Sequence, residues 1–204
     1  MLLDLSLYLV TDATLCQRHG LENTVREAVS GGVSIVQLRD KHASDADMID
    51  QARRLKAVLA GSGVPLIIND RLEVALASQA DGLHVGQSDT AVHQARLAMG
   101  PEAILGLSIN TVEQLQAVPT DLLDYVGIGP VFATPSKQDH AQPIGFGGLA
   151  SLVNACPLPS VAIGGLNASH SSAVRRAGAH GLAVISAICG QPDPRQAALA
   201  FSDQ

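Results

Sequence analysis

Short apolar runs recur along the chain at residues 5–10, 34–38, 65–68, 82–85, 103–107, 125–128, 160–163 and 181–184. Each is followed by a stretch in which apolar residues return at three- and four-residue spacing, the period of a helix with one buried face. The runs are nearly continuous in Val, Leu, Ile and Ala, as expected of parallel strands covered on both sides. Between them, residues 44–59 predict a helix with Ser44 at its N-cap, and residues 111–117 another with Glu113 in its first turn. Gly32, Gly63 and Gly178 precede apolar runs and read as helix C-caps. Eight strand–helix units in series predict an α/β fold, a closed (β/α)8 TIM barrel formed by residues 1–204 as one domain. An open doubly wound sheet is the competing arrangement. It is disfavoured because Val10-Thr11-Asp12-Ala13 stands where a dinucleotide-binding sheet would carry G-x-G-x-x-G.

Composition narrows the function classes. Of 204 residues, 47% are hydrophobic and 16% charged, which indicates a packed soluble protein rather than a disordered one. The formal net charge of -6, with no basic stripe, argues against a nucleic-acid partner or an anionic membrane surface. No apolar run approaches membrane-spanning length, and the N-terminal segment is too short and, at Asp4, too acidic for a signal peptide. Cys16, Cys156 and Cys189 form no CxxC pair, so a reduced cytoplasm fits best, with Cys156 and Cys189 read as small hydrophobes. Neither thiol catalysis nor a structural zinc site is expected, because Cys16 and His84 lack partners at ligand spacing. Oligomeric state is not legible, and a homo-oligomer is left open.

In such a barrel, chemistry is built at the C-terminal ends of the strands. Gln37, Arg39 and Lys41 alternate at the end of the second run, so a period of two sends all three toward the barrel mouth. Arg and Lys together suit the several oxygens of a diphosphate, although a charge cluster at a strand end is also often only a solvated rim. Asn69 and Asp70 end the third run, and Asp89 ends the stretch from Asp81, so two carboxylates fall on neighbouring strands. Taken singly, each aspartate is better read as a helix cap. Taken with Arg39, Lys41 and Lys137, they predict one Mg²⁺ ion bound by Asp70 and Asp89, since Mg²⁺ needs only one or two carboxylates beside phosphate and water. Ser108 ends the fifth run. The long connection from residue 129 to residue 145 carries Thr134, Ser136 and Lys137, a hydroxyl-rich segment that reads as a binding loop ahead of a tolerated insertion. Gly164, Gly165, Ile185 and Ser186 follow the seventh and eighth runs, where barrels commonly bind phosphate on backbone N–H groups. His84, inside its strand, is expected to be buried and hydrogen-bonded rather than a catalytic base.

Taken in order, these pieces resemble one family. Leu7-Tyr8-Leu9-Val10-Thr11-Asp12, Val36-Gln37-Leu38-Arg39-Asp40-Lys41, Ile68-Asn69-Asp70-Arg71, the stretch from Asp81 to Asp89, the stretch from Asp124 to Lys137, and Ala162-Ile163-Gly164-Gly165-Leu166 together are similar to thiamine phosphate synthases. The resemblance runs through essentially the whole chain. It implies a (β/α)8 barrel and a transferase that joins hydroxymethylpyrimidine diphosphate to thiazole phosphate, giving thiamine phosphate and diphosphate. It implies that Gln37, Arg39, Lys41, Asn69, Ser108 and Lys137 contact the pyrimidine diphosphate, with Arg39, Lys41, Ser108 and Lys137 in the catalytic roles and Asp70 and Asp89 on Mg²⁺. Thr134 and Ser136 match hydroxyl positions of the family's loop, and Gly165, Ile185 and Ser186 match its thiazole phosphate site. The implied mechanism is dissociative and needs no strong general base. The chain departs from the family at Gln138-Asp139-His140 and at Ile144-Gly145-Phe146-Gly147-Gly148, where further basic or small residues followed by Gly-Leu are more usual. A thiazole tautomerase of the same superfamily, or a non-catalytic thiamine-phosphate-binding regulator, are the alternatives. A tautomerase has little reason to assemble Arg39, Lys41, Asp70 and Asp89.

Overall fold

A computed structural model of the protein describes residues 3–87, 91–134 and 142–202. Within them, eight parallel strands close into a barrel in chain order: β1 (Leu7–Val10), β2 (Ile35–Leu38), β3 (Leu66–Asn69), β4 (Gly82–Val85), β5 (Ile104–Ile109), β6 (Tyr125–Ile128), β7 (Ser160–Ile163) and β8 (Gly181–Val184). The barrel shuts where β1 pairs with β8, Tyr8 lying against Ala183. The helices α1 (Leu21–Ser30), α2 (Asp45–Leu59), α3 (Leu72–Ser78), α4 (Val92–Met99), α5 (Val112–Gln116), α6 (Gly145–Ala155), α7 (Ser171–Arg176) and α8 (Pro194–Leu199) alternate with the strands. This is the (β/α)8 barrel that the periodicity predicts. None of the described helices is long and apolar enough to cross a membrane.

Alternation along each strand splits the core in two. Leu9, Val36, Leu38, Leu66, Ile68 and Leu83 face outward into the layer shared with the helices. Tyr8, Ile35, Ile67, Tyr125, Val161 and Ala183 face inward and fill the barrel. Inward-facing glycines make room for these bulky groups. A Cβ at Gly82 would lie 2.6 Å from Ile67 Cδ1, and one at Gly106 would lie 2.2 Å from Tyr125 Cζ. Above this apolar plug the inward positions turn polar, with Gln37 and Asn69 two residues beyond Ile35 and Ile67.

The helix starts follow their caps. Ser44 accepts from Asp47 N at 3.2 Å, Thr111 from Gln114 N at 3.3 Å, and Asp193 from Gln196 N at 2.9 Å ahead of Pro194. Gly32 and Gly178 fall just past the caps of α1 and α7, as expected. Gly63 does not: α2 ends at its cap Ala60 three residues earlier, and Gly63 lies in the connection to β3. At the opposite end of the barrel from the mouth, Asp81 and Asp124 accept from the backbone N–H groups of Leu66 and Leu105, each at 2.8 Å. Arg96 holds Asp124 at 2.9 Å while donating to the carbonyls of Leu122 and Ala103. Those carboxylates serve the frame.

Candidate functional site

At the C-terminal ends of the strands lies a cavity of about 550 Å³, within the size range of small-molecule sites. Gln37, Arg39, Asn69, Ser108, Thr134, Gly165, Ile185 and Ser186 all line it. Among the described residues Arg39 is the one Arg or Lys in the lining, and no Asp or Glu joins it, so the wall favours an anion.

The loop after β2 holds Arg39 firmly. Its backbone N–H donates to Thr11 Oγ1 at 3.1 Å, and Asp40 turns away to accept from the N–H groups of His42 and Ala43. Arg71, at the start of α3, donates to the carbonyls of Asp40 and Ala43 and pairs with Asp45 at 2.9 Å. Lys41, expected beside Arg39, is exposed and stands outside the lining. The strand ends at Leu38, so an alternation that holds for Gln37 cannot be carried through the turn to residue 41.

Asp70 is not the helix cap that its position suggests, because Arg71 takes the N-cap place of α3. Asp70 instead adopts φ 64°, a left-handed conformation that Asp tolerates better than most residues. Its N–H continues the sheet to His84 O at 2.9 Å, and its Oδ2 accepts from Asn69 Nδ2 at 2.6 Å. The carboxylate is thereby fixed at the β3 rim, although the cavity wall itself is made by Asn69. β4 closes at Val85 rather than running on to Asp89, and Asp89 lies outside the described residues. Asp70 is a hard-oxygen donor of the kind Mg²⁺ takes, and its anchoring fits such an ion. Among the described residues, no cluster of three His, Cys, Asp or Glu forms a separate metal centre.

His84 is buried, with Nδ1 2.9 Å from Tyr125 Oη and Nε2 2.9 Å from Ser108 Oγ. Tyr125 Oη lies 2.8 Å from Tyr8 Oη, which accepts from Gln37 Nε2 at 2.7 Å. Burial pushes both phenols well above their ordinary range. Sequence reading missed both tyrosines. They are the only two in the chain, each at an inward strand position, and that combination was the available signal.

The stems of the long loop are pinned before and after the residues that fall outside the described set. Val131 N donates to Ile163 O at 2.8 Å, Ile144 N to Pro130 O at 2.9 Å, and Phe132 packs edge-on against Phe146 at 5.2 Å. Thr134 reaches the lining; Ser136 and Lys137 lie outside the described residues. Across the mouth, Gly164 takes φ 90°, and a Cβ there would sit 2.4 Å from Pro130 Cβ. Gly164→Ala is therefore expected to destabilise the protein by about 2–4 kcal/mol through backbone strain and overlap. A lowered urea midpoint checks this, and an unchanged midpoint would mean that the β6 and β7 loops separate freely.

The loop after β8 carries Ile185 and Ser186, and the Ile185 carbonyl accepts from Cys189 N at 2.8 Å. Cys189 Sγ lies 3.5 Å from Cys16 Sγ, a partner invisible in the sequence because 173 residues separate the two. The shared hydrogen bond draws the Cys16 thiol down and pushes Cys189 up. Cys189 is thus more than a small hydrophobe, since it fastens the β8 loop to the turn after β1.

Residues 7–188 match a family model described as thiamine monophosphate synthase. A thiamine-phosphate synthase of Psychrobacter sp. is 56% identical over 197 residues, spanning 95% of this chain and 92% of that protein. One from Azorhizobium caulinodans is 50% identical over 195 residues, spanning 96% and 92%. Among solved structures, thiamine phosphate pyrophosphorylase from Pyrococcus furiosus superposes with a TM-score of 0.88 at 33% identity, covering 98% of this chain and 95% of that one.

Proposed function

The chain belongs to the thiamine monophosphate synthase family, and from that premise we propose that it is a transferase condensing 4-amino-5-hydroxymethyl-2-methylpyrimidine diphosphate with thiazole phosphate. The observation that carries this reading is the cavity itself. Its Arg39 and Ser108 side faces a Gly165, Ile185 and Ser186 side, which gives room for two anionic groups with the reacting rings between them.

The step breaks the bond between the pyrimidine methylene carbon and the diphosphate oxygen, and the electron pair leaves on the diphosphate. The electron-rich aminopyrimidine carries the resulting positive charge, and the thiazole nitrogen lone pair forms the new C–N bond. Because that nitrogen is already unprotonated, no side chain has to remove a proton. The protein contributes charge stabilisation and alignment. Arg39 offers a forked pair of N–H donors to the departing diphosphate, Ser108 a hydroxyl, and Asn69 an amide. Thr134, Ser136, Lys137 and Lys41 complete that set by family likeness. Asp70 and Asp89 would hold Mg²⁺, which supplies further positive charge to phosphate oxygens when bound. Gln37 orients the pyrimidine, and the backbone of Gly165, Ile185 and Ser186 receives the thiazole phosphate.

Substitution at one end of the mouth tests the division of labour. Ser186→Asp puts a carboxylate beside the thiazole phosphate, and the KM for that substrate should rise about tenfold or more from like-charge repulsion. The KM for the pyrimidine diphosphate should stay within about twofold. Equal changes in both would mean that the two anions do not occupy opposite ends.

A further inference from the structure

We propose that Gln37, Tyr8, Tyr125, His84 and Ser108 form one proton-ordered relay, through which a hydrogen-bond donor on a ligand at Gln37 turns the Ser108 hydroxyl proton toward an anion at the far end. The relay runs from β2 to β1, across the barrel to β6, then to β4 and β5. Its successive separations are 2.7, 2.8, 2.9 and 2.9 Å. The inference rests on reading the cavity as the pyrimidine diphosphate site, and it goes beyond that reading by linking the site's two ends.

Counting protons makes the case. Tyr8 and Tyr125 are almost wholly buried, at 1% and 0% exposure, and each phenol has a single proton to give. A neutral imidazole also has one, for two hydroxyl neighbours. When Gln37 Nε2–H donates to Tyr8, the Tyr8 proton goes to Tyr125 and the Tyr125 proton to His84 Nδ1. His84 Nε2–H then donates to Ser108 Oγ, and the Ser108 proton is directed into the cavity. Gln37 turns its carbonyl oxygen to the ligand in this order. Rotating the Gln37 amide by half a turn reverses every bond and spends the Ser108 proton on His84 Nε2. Any mixed order makes one phenol oxygen accept twice and leaves that phenol's own proton without an acceptor in the barrel interior, the cost of an unsatisfied buried donor. The two ends therefore switch together.

The barrel is built around this path. A Cβ at residue 106 would stand 2.5 Å from Tyr125 Oη and 2.6 Å from His84 Nδ1, so the crossing depends on Gly106. An exocyclic amine donates to Gln37 Oε1 and a diphosphate oxygen accepts from Ser108, so both favour the same order. Binding at either end should then strengthen binding at the other by the same factor.

The test is calorimetric, at about pH 8, where an ordinary imidazole is neutral. Inorganic diphosphate with Mg²⁺ is titrated into the protein with and without saturating aminopyrimidine alcohol, which lacks the leaving group. The alcohol should tighten diphosphate about fivefold or more in the wild-type protein. In Tyr125→Phe, and independently in Tyr8→Phe, which keep the rings and remove one hydroxyl, each fragment should still bind but the tightening should fall below about twofold. Independent binding in the wild-type protein, or full coupling in both folded variants, overturns the relay and leaves the functional reading standing. Failure of either fragment to bind the wild-type protein overturns both.

Discussion

Asp70→Asn is expected to lower kcat/KM for thiamine phosphate formation by about 10²–10³-fold, the scale on which loss of one group stabilising transition-state charge is felt. Asparagine has nearly the volume of aspartate and tolerates the left-handed backbone found at residue 70. The hydrogen bond from Asn69 Nδ2 can still be accepted by its amide oxygen. The fold should therefore survive, and the thermal midpoint should move by only a few degrees. What is lost is a negative charge at the β3 rim. Under the proposed role the Mg²⁺ concentration for half-maximal rate should rise together with the loss in kcat/KM. A Mg²⁺ titration of the variant at fixed substrate checks this. Full activity with an unchanged metal requirement would remove Asp70 from the metal site.

Arg39→Ala carries the second large expectation, again about 10²–10³-fold in kcat/KM, with most of the loss in the chemical step. Arg39 is the one Arg or Lys in the described cavity wall, and its backbone is held by Thr11 independently of the guanidinium. Arg39→Lys separates two explanations. A point charge alone would restore most of the rate, whereas a forked contact with two phosphate oxygens would leave Lys well below Arg. Single-turnover rates with the pyrimidine diphosphate distinguish these cases. Loss confined to KM would mean that Arg39 binds the ground state and does not act on the departing group.

Where each residue falls explains how much was readable beforehand. β4, β6, β7 and β8 coincide with the apolar runs that predict them, because strands covered on both faces need unbroken hydrophobicity. The first run overshoots: Leu5 is buried in the barrel interior, but strand pairing begins at Leu7. Gln37, Asn69 and Ser108 were legible as strand-end polar residues, and all three line the cavity. Alternation does not carry Lys41 to the mouth, because it lies past the last residue of β2 and stands outside the cavity lining. The conformation of Asp70 was hidden because φ is set by how β3 turns into α3, not by the local sequence. The tyrosine relay and the Cys16–Cys189 contact depend on pairs 117 and 173 residues apart, which only closure of the barrel brings together. Asp89, Ser136 and Lys137 lie outside the described residues, and their roles stand on family likeness.

The central claim is that this mouth joins two phosphorylated rings and releases diphosphate. Incubating the protein with both substrates and Mg²⁺, and following the mixture by ³¹P NMR, reads both products at once. Thiamine phosphate and diphosphate should appear in equal amounts, and diphosphate release should require the thiazole phosphate. A regulator would bind without turnover, and a tautomerase would alter the thiazole while leaving the pyrimidine diphosphate intact. Either result, or diphosphate release indifferent to the thiazole partner, would contradict the account.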